Sequence, residues 1–191
     1  MQVVQNIGNY SAQNASILTI GTFDGVHIGH QKIIKDLVKV AKKNNLCSIV
    51  LTFFPHPRMV LQKDSDLKMI DTLEEKQQFL EKIGVDVLIV HPFSRAFSRL
   101  TALEFTRDLL VNQLKISQLV VGYDHRFGRN REATIDDLKS FGLDYNFTVD
   151  EIPSQDIESI AVSSTKIRNA LNKGDLKTAN QFLGRPFGLT G

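Results

Sequence analysis

Cysteine, tryptophan and proline are scarce in this sequence of 191 residues, which has one cysteine, no tryptophan and five prolines. A single cysteine, Cys47, cannot form an intramolecular disulfide, and its place in an apolar run predicts a buried side chain. The formal net charge is only +2. Because basic and acidic residues are interleaved, the sequence predicts no basic stripe for nucleic acid.

Long hydrophobic runs are also absent, since no apolar stretch approaches the length that spans a membrane. The first ten residues lack the basic and then apolar regions of a secretory signal peptide. We therefore expect a soluble, cytoplasmic protein with neither a membrane nor a nucleic-acid partner, present as a monomer or a weak homo-oligomer. The length suits one compact domain, or one domain with a small appended piece.

Apolar strand-like runs alternate with amphipathic helical stretches along the chain. Strands are predicted at 17–21, 46–53, 85–91, 119–123 and 145–152. Helices are predicted at 31–43, 72–83, 101–115, 164–173 and 176–183. Capping boxes support two of the helix starts, Thr72 with Glu75 and Thr101 with Glu104, and Gly84 is a stop signal. The alternation predicts an α/β fold with a Rossmann-like, doubly wound parallel sheet.

The most informative segment is Gly-Thr-Phe-Asp-Gly-Val-His-Ile-Gly-His at 21–30, where a predicted strand leads into a helix. Its glycines allow a ligand close to the backbone, and the first amides of a helix favour an anion. His27 and His30 project from one side of the first turn and can donate to phosphate oxygens. No third metal ligand stands nearby, and no Gly-Lys-Ser/Thr follows as in a P-loop. The segment therefore predicts a site that handles phosphates.

Three further segments carry side chains suited to ligand contact. Thr-Phe-Phe-Pro-His-Pro-Arg at 52–58 has two prolines around a histidine, which predicts a stiff, extended loop that can pack on a flat ring. A rigid exit from a strand is the plainer alternative.

Val-Val-Gly-Tyr-Asp-His-Arg-Phe-Gly-Arg at 120–129 lies at the carboxyl end of a predicted strand, where ligands bind in open α/β sheets. A solvated basic turn formed by Arg126, Arg129 and Arg131 is the alternative. Val-Ser-Ser-Thr-Lys-Ile-Arg at 162–168 predicts a capped helix start, with Arg168 offering a planar fork to phosphate oxygens. An ordinary cap with an exposed arginine is the alternative there.

Together these four segments resemble the motifs of the prokaryotic FAD synthetase module of the nucleotidyltransferase superfamily. The matching patterns are His-x-Gly-His, Phe-x-Pro-His-Pro, Gly-x-Asp-Phe-x-Phe-Gly and Ser-Ser-Thr-x-Ile-Arg, in the same order from Gly21 to Arg168. His125 stands where the family usually has phenylalanine, and Ala133-Thr134 replace a common Gly-Asp. The resemblance implies a nucleotidyltransferase fold of the HxGH type.

The resemblance also implies an activity, in which AMP passes from ATP to the phosphate of FMN to give FAD and pyrophosphate. Mg²⁺ would accompany ATP, and no metal ligands from the protein are predicted. Catalytic roles are implied for His27, His30, Ser164 and Arg168. ATP contacts are implied for Gly21, Thr22, Phe23, Asp24, Gly25, Gly29, Ser163 and Thr165. Flavin contacts are implied for Phe54, Pro55, His56, Pro57, Arg58, Phe97, Tyr123 and Asp124.

Two alternatives to this activity stay open. One is a catalytically inactive flavin or nucleotide sensor on the same fold, and the other is an adenylyltransferase with a different phosphate-ester acceptor. Residues 184–191, Gly-Arg-Pro-Phe-Gly-Leu-Thr-Gly, resemble the first residues of a riboflavin kinase module. We therefore expect an FMN adenylyltransferase domain at 1–183 and a remnant of the kinase module at 184–191, the kinase being otherwise absent.

Overall fold

The structure is a computed structural model, and it describes residues 1–62, 66–122, 125–152 and 162–188. The strands are β1 (Gln2–Gln5), β2 (Ser16–Ile20), β3 (Cys47–Phe54), β4 (Val87–Pro92), β5 (Ile116–Gly122) and β6 (Thr148–Ile152). The helices are α1 (Ile28–Asn44), α2 (Pro57–Leu61), α3 (Leu73–Ile83), α4 (Ala102–Glu104, continued by the π-helix Phe105–Gln113), α5 (Ile135–Tyr145), α6 (Ser164–Asn172) and α7 (Leu176–Leu183).

All six strands form one parallel sheet in the order β1-β4-β3-β2-β5-β6. The chain builds outward from β2 through β3 and β4, then returns to place β5 on the other side of β2. In such sheets ligands bind outside the carboxyl ends of the strands where the order reverses. The crevice beyond β2 and β5 is therefore the expected position of a site. The segment 21–30 begins there, directly after the last residue of β2.

The sheet is covered on both faces, because alternate residues of its buried strands point in opposite directions. Ile17 and Val50 pack in one cluster with α1 and α3, represented by Leu37 and Leu80. Leu18, Ile49 and Leu51 pack on the other face with α4 and α5. This two-sided packing confirms the predicted doubly wound α/β fold. A third, smaller cluster joins α6 and α7 through Ile167, Ala170, Ala179 and Leu183.

Two helix starts follow the predicted capping boxes, since Thr72 with Glu75 and Thr101 with Glu104 each form both reciprocal hydrogen bonds. Gly84 ends α3 in a left-handed conformation, with φ of 97°. Within the described residues, no helix is long and apolar enough to cross a membrane. Cys47 is partly rather than fully buried, because it begins β3 at the rim of the core.

The sequence prediction did not include β1 or α5. The short edge strand β1 pairs only with β4. Helix α5 begins after Thr134, whose capping box uses Asp137 in the place of glutamate. It extends to Tyr145, so the strand predicted from 145 begins only at Thr148.

The prediction of an extended loop up to Arg58 was wrong. Pro57 is the first residue of α2, and the Nδ1 atom of His56 accepts a hydrogen bond from the Arg58 amide at 3.1 Å. Proline is favoured at the first helical position because its fixed φ suits a helix and its missing N–H has no partner there.

Candidate active site

The loop between β2 and α1 adopts an unusual backbone. Phe23 and Val26 have positive φ values of 45° and 35°, in a region that a β-branched valine rarely adopts. Each such residue costs about 1–3 kcal/mol. Both side chains are almost fully buried, at 4% and 1% exposure, so apolar burial offsets the strain. The packing of the core therefore fixes the loop in this shape.

Backbone carbonyl groups of this loop accept hydrogen bonds from side chains on other elements. The Thr22 oxygen accepts from Lys76 Nζ on α3 at 2.7 Å and from Thr52 Oγ1 on β3 at 3.1 Å. The Asp24 carbonyl oxygen accepts from Ser164 Oγ on α6 at 2.9 Å. Because these donors come from three separate elements, the loop is positioned by the whole fold.

The Asp24 side chain is completely buried and is a second anchor of the loop. One of its oxygens accepts from the Ile70 amide at 3.0 Å, and the other forms an ion pair with Arg168. Arg168 Nε also donates to the Lys68 carbonyl at 2.8 Å. Removing one partner of such a buried pair leaves an uncompensated charge, which is strongly destabilising.

His27 and His30 lie side by side at the start of α1. Their rings stack with centroids 3.5 Å apart and planes inclined by 16°. The Nδ1 atom of His27 caps the helix by accepting from the His30 amide at 3.3 Å. The neutral His27 ring must therefore carry its proton on Nε2, which is left as a hydrogen-bond donor. A side chain at position 29 would come within 3.3 Å of His27 Nδ1, so Gly29 leaves room for this cap.

Three histidines of the site, His27, His30 and His56, are neutral at pH 7. Burial lowers the pKa of His27 to about 4. Burial also lowers the pKa of His30 well below its ordinary value, with smaller contributions from the charges of His27 and Lys76. The pKa of His56 falls to about 4, again mainly because of burial. These rings are therefore neutral donors, and the fixed positive charges of the site are arginines.

One cavity of about 540 Å³ joins the loop, α1 and α6. Its described lining includes four arginines and four histidines but no aspartate or glutamate. The arginines are Arg58, Arg126, Arg131 and Arg168, and the histidines are His27, His30, His56 and His125. A lining with this composition favours an anionic ligand with several phosphate oxygens.

The cavity also has a continuous aromatic wall. Phe53, Phe93 and Phe97 pack with ring centroids 5.5–5.8 Å apart. Phe105 lies 6.1 Å from Phe97, and Phe127 lies 5.9 Å from Phe105. All five rings line the cavity, which therefore offers an apolar surface beside the basic one.

Most of the predicted site residues come together in this cavity. Its lining contains Gly21, Thr22, His27, His30, His56, Pro57, Arg58, Phe97, Ser163, Ser164, Thr165 and Arg168. The predicted capped helix start is present, and the structure assigns the cap to Ser163, whose hydroxyl accepts from the Lys166 amide at 3.2 Å.

Other predicted residues lie elsewhere. Phe54 is half exposed and, like Pro55, is not among the residues that line the cavity. Four other predicted residues are buried and are not in the cavity lining: Phe23, Asp24 and Gly25 in the loop, and Gly29 in α1. The predictions for Tyr123 and Asp124 lie outside the described residues.

Sequence reasoning missed the roles of Lys76, Arg185 and most of the phenylalanines. Lys76 and Arg185 contact the loop from positions 54 and 160 residues away from their partners. Because the partners are so far apart in the chain, no pattern of local residue spacing could predict these contacts. Phe53 lies inside the segment 52–58 that the sequence analysis singled out, so the aromatic content of that segment was the available signal.

The model of one protein family, FAD synthetase, matches residues 9–166. This chain belongs to the FAD synthetase family. The bifunctional riboflavin kinase/FMN adenylyltransferases of Buchnera aphidicola subsp. Schizaphis graminum and Escherichia coli strain K12 are each 36% identical over 193 residues. Each alignment covers all of this chain and 62% of the relative. The chain thus spans about three fifths of the length of these bifunctional members of the family.

A protein named FAD synthetase from Listeria monocytogenes serovar 1/2a is 35% identical over 178 residues, covering 93% of this chain and 72% of that protein. A solved structure named Macrolide-efflux Protein, from Streptococcus pneumoniae, has a TM-score of 0.86 and 30% identity, covering 98% of this chain and 72% of that one. Pantoate-beta-alanine ligase from Francisella tularensis shares the fold alone, with a TM-score of 0.52 and 17% identity over 95% of this chain and 86% of that one.

Proposed function

We propose that this protein is an FMN adenylyltransferase, which transfers AMP from ATP to the phosphate of FMN and releases pyrophosphate. The observation that carries the proposal is the lining of the cavity by the described residues, in which four arginines and the neutral His27 and His56 lie beside five phenylalanine rings, with no aspartate or glutamate among those described residues. Membership of the FAD synthetase family supports the same activity. The names of the relatives support FMN as the acceptor.

In the proposed reaction an oxygen of the FMN phosphate attacks the α-phosphorus of ATP. The new bond joins the two phosphates of FAD, and the bond from the α-phosphorus to the bridging oxygen breaks. Negative charge grows on the α-phosphate oxygens and on the departing pyrophosphate, so fixed donors that point there lower the barrier. No covalent intermediate on the protein is needed.

His27 and His30 are the proposed donors to the reacting phosphates. His27 keeps Nε2–H available because its Nδ1 atom caps α1. The first amides of the same helix have no intrahelical acceptor and add to the anion site. A neutral histidine donates a hydrogen bond without exchanging a proton, which suits a step in which phosphate only needs stabilisation.

The start of α6 is the proposed site of the β- and γ-phosphates. Ser163, Ser164 and Thr165 line the cavity at this helix start, with Arg168 one turn later. Ser164 and Arg168 also hold the Asp24 region of the loop. We propose that they serve ATP through this anchoring as well as through direct contact.

The aromatic wall is the proposed surface for the isoalloxazine ring. Phe53, Phe93 and Phe97 can pack on a flat, apolar ring system, whereas the arginines suit its phosphate. His56 Nε2 and Arg58 lie in the same lining and offer further donors.

Magnesium has no carboxylate ligand among the described residues of the cavity lining. The nearest candidate in the loop, Asp24, is buried and paired with Arg168. The described residues therefore do not form a protein cage for the ion. We propose that any Mg²⁺ arrives with ATP, since this ion is commonly held by phosphate oxygens and water.

The test is chromatographic detection of FAD after incubation with FMN, ATP and Mg²⁺, with riboflavin as the alternative acceptor. We expect FAD from FMN and none from riboflavin. His30→Ala should lower the rate by about a hundred- to thousandfold, as for other lost oxyanion donors. His30→Gln is the matched comparison, because its side-chain amide keeps a hydrogen-bond donor and should therefore retain part of the rate.

Three results would contradict the proposal. Bound FMN and ATP without FAD would indicate a sensor. FAD formation that survives in His30→Ala would exclude the proposed donor. A protein that binds ATP but no flavin would point to another phosphate-ester acceptor.

A further inference from the structure

Arg185 links the segment after α7 to the phosphate-handling loop. One of its terminal nitrogens donates to the Gly25 carbonyl at 3.2 Å, and the same nitrogen forms an ion pair with Asp71. The guanidinium also lies over the Phe79 ring of α3, at 3.8 Å from the ring centroid. Arg185 therefore joins the loop, the segment before α3 and α3 itself.

The ion pair is shielded from water. The Arg185 side chain is 16% exposed and that of Asp71 is 3% exposed. Breaking a buried pair by removing one partner is costly, whereas replacing both partners with neutral groups can be nearly neutral. Comparing a variant that lacks one partner with a variant that lacks both can therefore separate the contribution of the ion pair to stability from the effect of Arg185 on the loop.

The rest of the segment also packs on the domain. The Leu183 carbonyl accepts from Gln31 on α1 at 2.9 Å, and the same Gln31 nitrogen donates to the Val26 carbonyl at 2.9 Å. The Phe187 amide donates to Asn180 Oδ1 at 2.7 Å. Two consecutive loop carbonyls, those of Gly25 and Val26, are thus connected to residues 183–185.

Gly25 lies directly before a strained residue of the loop. Its own φ is 84°, and Val26 beside it has a φ of 35°. His27 follows directly after Val26. Because a strained backbone persists only when its surroundings determine it, loss of an anchor at Gly25 should let this turn relax and move His27.

We propose that Arg185 is a positioning residue for adenylyl transfer, and that residues 184–187 belong to the functional unit of the nucleotidyltransferase domain. Arg185 acts through the Gly25 carbonyl on the placement of His27 and His30. The inference rests on the proposed function, which it extends to a residue outside the four motifs. It also revises the expected domain boundary after residue 183.

The experiment compares Arg185→Met, Arg185→Met with Asp71→Asn, and Lys177→Met in the full chain. Lys177 is an exposed cation on α7 and serves as the control for loss of one positive charge. Melting temperature, kcat, the KM values for ATP and FMN, and hydrogen exchange of amides 21–30 are measured for each protein.

We expect Arg185→Met to lower kcat roughly 10- to 100-fold, since small displacements of reacting groups cost rates of this size. The KM for FMN should stay within about twofold, because the aromatic wall is untouched. In the double variant the melting temperature should recover, because no unpaired carboxylate stays buried. The kcat of the double variant should stay low, and hydrogen exchange of its amides 21–30 should stay fast, because the Gly25 anchor is still missing.

Recovery of both stability and kcat in the double variant would overturn the proposal, since Arg185 would then serve only its ion pair. Unchanged kcat and unchanged exchange in Arg185→Met would overturn it too. If the unmodified protein made no FAD, the proposed function would fail. The exchange comparison would still decide whether Arg185 orders the loop.

Discussion

The two ring nitrogens of His27 have different partners. Nδ1 accepts from the His30 amide and caps α1, whereas Nε2 is left to donate toward the cavity that His27 lines. One residue therefore contributes to both the stability of a helix and the proposed chemistry. Because asparagine can imitate Nδ1 and glutamine can imitate Nε2, the two roles can be separated by substitution.

We predict that His27→Asn keeps the helix cap and loses the donor. Because the cap is kept, His27→Asn should lose less stability than a variant that loses the cap, for which the cost is about 0.5–2 kcal/mol. Its rate of FAD formation should fall about a hundred- to thousandfold. Chemical denaturation and the chromatographic assay measure these two quantities.

His27→Gln should behave in the opposite way. Loss of the cap should cost about 0.5–2 kcal/mol of stability, whereas part of the activity survives through the amide donor. Equal loss of activity in both variants, with equal stability, would contradict separate roles for the two nitrogens.

At the scale of elements, local signals predicted helix starts well. Both capping boxes found in the sequence are present, and Gly84 ends α3 as expected. These signals involve residues that are close together in the chain, so they can be recognised from the sequence alone. The start of α2 was ambiguous, because proline suits an extended loop as well as a first helical turn.

We predict that Thr72→Ala lowers the free energy of unfolding by about 1 kcal/mol, because the Thr72 hydroxyl satisfies the Glu75 amide at 3.1 Å. Thermal or urea denaturation measures the loss. Glu75→Gln is the control, because an amide oxygen can still accept from the Thr72 amide. A similar loss in both variants would show that charge at the helix start, rather than the cap, carries the stability.

At the scale of the whole molecule, the sequence predicted the parallel sheet. His27 and Arg168 line the same cavity, because the carboxyl ends of parallel strands meet at one edge of the sheet. Contacts such as Lys76 with Thr22 and Arg185 with Gly25 depend on the packing of distant helices. No periodicity or spacing encodes them, so only the folded structure reveals them.

The buried histidines predict that stability falls in mild acid. His27 and His56 have pKa values of about 4 in the folded protein. In an unfolded chain a histidine has a pKa of about 6.5, so between these values the unfolded state binds protons that the folded state does not. The free energy of unfolding should therefore fall as pH decreases from about 6.5 to about 4.

Each of these histidines adds a slope of up to about 1.4 kcal/mol per pH unit. We predict that the double variant His27→Gln, His56→Gln has a shallower pH dependence than the original protein. Urea denaturation at several pH values between about 4.5 and 7 measures both slopes. The raised pKa of Asp71, caused mainly by burial, is common to both proteins and cancels in the comparison. Parallel slopes would contradict the neutral, buried state of these rings.

The most direct test of the proposed adenylyl transfer is to follow the phosphorus atoms of ATP. ATP labelled with ³²P at the α-position, incubated with FMN and the protein, should give labelled FAD. ATP labelled at the γ-position should give labelled pyrophosphate and unlabelled flavin. Transfer of the γ-label to flavin, or no label in FAD from α-labelled ATP, would contradict attack at the α-phosphorus.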